Sequence, residues 1–127
     1  MVRSTIAYLD LYQGNDMENI WSSKIDAILS VGHSLERIGV RNWALEREAA
    51  LKALQQLSAI GVAILGGDVY VVQGENIEPN YDNWYCNREA EENEADFVAR
   101  SVAKAQRYIV NYLTSANNVL FAIVPNT

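Results

Sequence analysis

Residues 61–86 read GVAILGGDVYVVQGENIEPNYDNWYC, and the reading of this stretch decides the fold. Val62-Ala63-Ile64-Leu65 and Val69-Tyr70-Val71-Val72 are apolar runs of strand length around the breaker Gly66-Gly67-Asp68. The expectation is two short strands joined by a tight turn, with the glycines supplying positive φ. Gly74-Glu75-Asn76 marks a second turn. It leads to a third strand around Ile77, which Pro79 should confine to a sheet edge or a strand end. A long loop then carries Tyr81-Asp82-Asn83-Trp84-Tyr85, where large aromatics alternate with hydrogen-bond acceptors.

Upstream, Glu46 to Ile60 has helical spacing. Ala50, Leu51, Leu54 and Leu57 form its apolar stripe, Glu48 and Lys52 make an exposed pair, and Gly61 suits the residue just past its end. An earlier helix is expected to start at Asn15, with Glu18 closing a capping box and Trp21, Ile25, Ile28 and Leu29 on its core face. Gly32 and His33 should end or kink it. Thr5–Tyr12 suits either a strand or a helix, and the helical reading is favoured. Downstream, Asn93 caps a helix from Glu94 to Leu113, with Asp96 at the capping-box position and acidic residues in the first turn. Val98, Ser101, Val102, Ala105, Tyr108, Ile109 and Tyr112 make its buried face, while Asp96 and Arg100 are spaced to pair across one turn. Val119–Val124 is a continuous apolar run suited to a central strand. The sum is an α+β fold: a small, mainly antiparallel sheet with about three helices packed on it.

The Gly66-Gly67-Asp68-Val69-Tyr70 segment and the Tyr81–Cys86 run, together with Asn42-Trp43-Ala44-Leu45, resemble a family of bacterial immunity proteins from polymorphic toxin systems, immunity protein 40. The resemblance extends over about residues 39–112. It implies a non-enzymatic inhibitor, made beside a toxin to protect the producing cell.

At 127 residues the chain is expected to be one domain, residues 1–127, large enough to bury a core unaided. The N-terminal MVRSTIAYLDLY lacks a sustained apolar run and meets Asp10 early, so no secretory signal is expected. No stretch approaches the ~20 apolar residues of a membrane span. The single cysteine, Cys86, fits a reducing compartment, and the cytoplasm is the expected location. A net charge of −6 opposes nucleic-acid binding and favours basic partners, although acidity also serves solubility.

Motifs for chemistry are sparse. The double glycine has no Lys-Ser/Thr after it and continues as strand, which favours a tight turn over a phosphate loop. One histidine and one cysteine give no transition-metal spacing, and no cofactor is expected. The run Glu89, Glu91, Glu92, Glu94, Asp96 lacks the loop pattern of a calcium site and reads as solvated, helix-initiating charge. His33 and Cys86 sit in no nucleophile motif.

The Tyr81–Tyr85 cluster supports two roles. Trp84 and Tyr85 can pack the loop onto the sheet while Asp82 and Asn83 form an Asx turn, or they can serve as aromatic contacts ringed by polar groups. For an inhibitor covering a basic toxin's active site or substrate groove, the candidate contacts are Asp68, Asp82, Trp84, Tyr85, Glu89, Glu91 and Glu92. The rival reading is a small enzyme or ligand-binding domain using Asp68 and Asp82 in a cleft. A homodimer is compatible with either, and self-association through an exposed Phe121 strand is a third reading.

Overall fold

The computed structural model describes residues 18–127. The Asn15 cap and the Thr5–Tyr12 element therefore lie outside the described residues. The first described helix, α1 (Ser23–Leu29), starts later than its apolar spacing suggests. Ser22 caps it, with Oγ accepting from the Ile25 amide at 3.2 Å. Trp21 precedes the helix. Its amide and that of Ile20 donate to the Asp26 carboxylate, at 3.0 and 2.8 Å.

Two short strands follow, β1 (His33–Ser34) and β2 (Trp43–Ala44), paired antiparallel across a 3₁₀ turn at Glu36–Ile38. His33 thus belongs to a ribbon, not to a helix end. The second helix, α2 (Arg47–Ala59), buries Ala50, Ala53, Leu54 and Leu57. Gly61 follows it at φ 75°, the left-handed conformation that terminates helices cheaply only in glycine.

The main sheet overturns the expected turn at the double glycine. Ile64–Gln73 is one ten-residue strand, β3, and it runs through Gly66-Gly67-Asp68 without reversing. The expected loop is likewise strand: β4 (Asn76–Tyr85) pairs antiparallel with β3 and carries the aromatic cluster. Glycines are needed in β3 because β4 approaches too closely for side chains. A Cβ on Gly66 would lie 2.3 Å from the Trp84 carbonyl oxygen.

The third helix, α3 (Glu94–Asn111), has the expected cap, Asn93 Oδ1 accepting from the Asp96 amide at 2.8 Å. The last strand, β5 (Val119–Pro125), pairs with the other side of β3, giving the order β4-β3-β5. The strand at the centre is therefore β3. Unbroken hydrophobicity in β5 reflects cover on both faces instead: Phe121 and Ile123 pack under the helices, whereas Leu120 and Ala122 pack with Leu35, Ala44 and Tyr70. Its far edge is closed as well. Leu45 and Phe121 exchange two backbone hydrogen bonds of 2.8 Å, and Asn42 Nδ2 donates to the Ile123 carbonyl at 2.9 Å. Phe121 is fully buried, so this strand is not an exposed edge. The architecture is α+β, with α2 and α3 on the inner face of the sheet and the β1–β2 ribbon on part of the outer face.

Candidate functional site

Alternation along β4 places Trp84 on the inner face, where its indole fills the space a Gly67 side chain would take. The ring stacks on Tyr108 of α3 with centroids 4.8 Å apart. Tyr108 leans on Tyr112 at 5.6 Å, and Tyr112 meets Phe121 edge-on at 5.8 Å. A file of rings thus joins the edge strand to β5. The Trp84 N–H is buried and finds no partner among the described residues. Such an orphan costs about 1–3 kcal/mol, so the stacking must outweigh it.

Asp82 turns toward the same helix. Its Oδ2 accepts from the Tyr112 hydroxyl at 2.5 Å, and Asn80 Nδ2 donates to that hydroxyl at 2.7 Å. Burial, then the hydrogen bond to Asp82, pushes the Tyr112 phenol above its ordinary range. The Asx turn expected at Asp82 forms instead at Asn80, whose Oδ1 accepts from the Asp82 amide at 2.9 Å.

The carboxylates of the acidic run differ in how tightly they are held. Glu92 accepts from Arg100 Nε and Nη2, both at 2.8 Å, and from the Glu89 amide at 2.9 Å. The Arg100 hydrogen bonds and that amide hold the Glu92 carboxyl down at about 2. Arg100 also donates to the Asn87 carbonyl at 2.6 Å and to Cys86 Sγ at 3.2 Å. The Asp96–Arg100 pair expected from helical spacing gives way to this grip on the preceding loop. A planar guanidinium meets a carboxylate better through two parallel bonds than through one exposed contact. Glu89 is exposed and reaches Arg100 only at 3.9 Å, and Glu91 is exposed, as is Tyr85, over whose ring Lys104 Nζ stands at 5.1 Å.

Asp68 lies on the outer face with Tyr70, opposite the side on which Asp82 meets Tyr112. Burial raises its carboxyl above the ordinary range, and burial, then Asp68, raises the Tyr70 phenol. Among the described residues, two hollows lined by Asp68 lack Asp82. The two carboxylates of the rival cleft reading therefore do not converge.

The profile of the family described as Immunity protein 40 matches residues 34–125, more than two thirds of the chain. The chain belongs to that family. No curated protein and no solved structure gives a match. The span shared with the immunity protein 40 family takes in the three-stranded sheet, α2 and α3, and leaves α1 ahead of it. It also contains every candidate contact residue, from Asp68 to Glu92.

Several residues that shape this immunity protein 40 surface escape a reading of the sequence. Tyr81 is 83% exposed and holds a left-handed φ of 71°. It sits in a bulge where Asn80, Tyr81 and Asp82 of β4 face Val69 alone on β3. The signal was present in Pro79-Asn80 and Asp82, turn formers on both sides of the tyrosine. Arg47 of α2 crosses to the end of α3. Its Nη1 donates to the Ile109 carbonyl, and its Nη2 to those of Leu113 at 3.1 Å and Ala116 at 3.3 Å. Buried Ser101 accepts from the Ile64 amide at 2.9 Å, tying α3 to the start of β3. Among the described residues, no three of His, Cys, Asp and Glu gather to hold a metal ion, and no helix is long and apolar enough to cross a membrane.

Proposed function

We propose that this protein is a non-enzymatic immunity protein that binds a cognate bacterial toxin domain and neutralises it by covering its active site or substrate groove. The observation that carries the reading is the family match over residues 34–125. The physical features are consistent with a protein inhibitor. A net charge of −6 speeds encounter with a basic toxin surface, and such a surface is what a nucleic-acid-cleaving toxin needs. Asp68, Asp82, Tyr85, Glu89 and Glu91 are exposed and form the direct contact set. Trp84 and Glu92 act from beneath, Trp84 by bracing β4 and Glu92 by fixing the loop before α3. The protein works in the cytoplasm of the producing cell, without a cofactor.

The test is co-purification with the toxin domain encoded in the neighbouring gene, followed by titration of that toxin's activity. Inhibition complete at a fixed stoichiometry, with protection of cells expressing the toxin, is the expected result. Two proteins that neither bind nor protect would overturn the reading.

A further inference from the structure

The outer face of the sheet is only partly covered. The ribbon closes its middle, but a hollow of about 560 Å³ opens beside it, between the 3₁₀ turn and strands β3 and β4. Ile38, Val40, Tyr70 and Pro79 give it apolar walls, and Ile38 is 43% exposed. One carboxyl, Asp68, stands in the wall; among the described residues no ion pair or hydrogen bond reaches its side chain, and burial is what perturbs it. At the rim stands Tyr81. A left-handed φ is costly for a bulky L residue, and it persists only where the surrounding structure imposes it. Here the bulge, with Asn80 bonded to the Asp82 amide, fixes that conformation and turns the ring out of the strand.

An apolar hollow with one uncompensated carboxylate in its wall and an aromatic ring at its mouth suits a long cationic side chain. The methylene stem of lysine or arginine packs on apolar walls while the charged end seeks a carboxylate, and an aromatic ring adds attraction for the cation. The surplus of negative charge on the chain has the matching sign. We propose that this hollow receives a lysine or arginine side chain projecting from the cognate toxin domain, with Asp68 taking the charge and Tyr81 closing over the stem. The assignment rests on the toxin-binding reading above and names the point at which the partner is anchored.

The experiment compares the full-length chain with its Asp68→Asn, Tyr81→Gly and Glu48→Gln variants, titrated against the toxin domain from the neighbouring gene. Glu48 lies exposed on α2, away from the hollow, and its variant should bind as the wild type does. Asp68→Asn and Tyr81→Gly should each raise Kd by at least about tenfold. Asp68→Asn should also flatten the salt dependence of association. Neither substitution should lower the melting temperature, because neither removes a packed group, and glycine relieves the backbone at position 81. Wild-type binding with both variants within about twofold of it overturns the anchor while leaving the immunity reading intact. Absence of wild-type binding overturns both. An isolated chain that dimerises and is dissociated by Tyr81→Gly would assign the hollow to a second copy, and that also overturns the proposal.

Discussion

Gly67 and Trp84 occupy one space between them: a Cβ on Gly67 would stand 2.1 Å from Cη2 of the Trp84 ring and 2.5 Å from Cζ3. The glycine is thus defined by a residue that lies seventeen positions later in the chain and faces it across the β3–β4 pair. Gly67→Ala should displace the indole from Tyr108 and destabilise the fold by about 3 kcal/mol, the upper end for overpacking. Urea unfolding followed by tryptophan fluorescence measures it, and a wild-type midpoint would refute the seat.

Removing the other partner leaves a void instead of a clash. Trp84→Ala should cost about 3–5 kcal/mol and reduce soluble yield. Trp84→Phe, which keeps a ring over Gly67, should recover much of the stability. If Trp84 supports β4 from beneath, the folded Trp84→Phe protein should inhibit the toxin nearly as the wild type does. Loss of inhibition at wild-type stability would make the indole a contact in its own right.

The grip of Arg100 on Glu92 gives stability a defined pH dependence. The folded carboxyl titrates at about 2, below its ordinary 4.5, so its contribution is complete above about pH 4.5 and fades as pH falls toward 2. Glu92→Gln should therefore melt below the wild type at pH 7, and the two curves should meet near pH 2. Melting temperatures taken from pH 7 down to pH 2 check this. A gap that stays constant with pH would show that charge pairing is not its source.

Arg47 should matter more than its place on the rim of α2 suggests. Its guanidinium satisfies carbonyls at the end of α3 and lies 5.5 Å from the centre of the Phe121 ring. Arg47→Met keeps the stem and removes the donors, with an expected loss of about 2 kcal/mol. Hydrogen exchange should locate the loss in the last turn of α3 and the loop to β5. Protection unchanged at Ile109 to Ala116 would contradict the assignment.

Tyr112→Phe isolates one hydroxyl, because it removes the donor to Asp82 and the acceptor for Asn80 but leaves the ring packed. The expected loss is about 1 kcal/mol. One phenol should be lost from the elevated part of the ultraviolet titration at alkaline pH, with Tyr70 and Tyr108 still titrating above the ordinary range. A titration identical to that of the wild type would show that Tyr112 is not among the raised phenols.

What the sequence disclosed was what neighbouring residues decide among themselves. The cap at Asn93, the glycine after α2 and the apolar stripes of α2 and α3 follow from helical spacing within a few residues, and all are present. The centre of the sheet did not follow. Gly66-Gly67 looks like a turn to any local rule, and only the distant indole explains why a strand crosses it. Arg100 shows the same limit, since helical spacing offers Asp96, whereas the fold brings Glu92 from the loop with better geometry. Of the site, the aromatic-acidic composition was legible. The division of its residues between the two faces of the sheet was not, because residues read as a loop offer no alternation, and only the pairing of β4 with β3 assigns them to faces.

The bulge in β4 governs what the sheet can do in a crowded solution. Leu45 and Asn42 already seal β5, so among the described residues the open border of the main sheet is β4. There Pro79 lacks an amide hydrogen and the chain leaves register for three residues, so an arriving strand meets only two short, misaligned tracts. Fibrous growth requires a template that each newcomer can copy in full. This border refuses to be copied, yet it still holds out a tyrosine to a partner of a different shape.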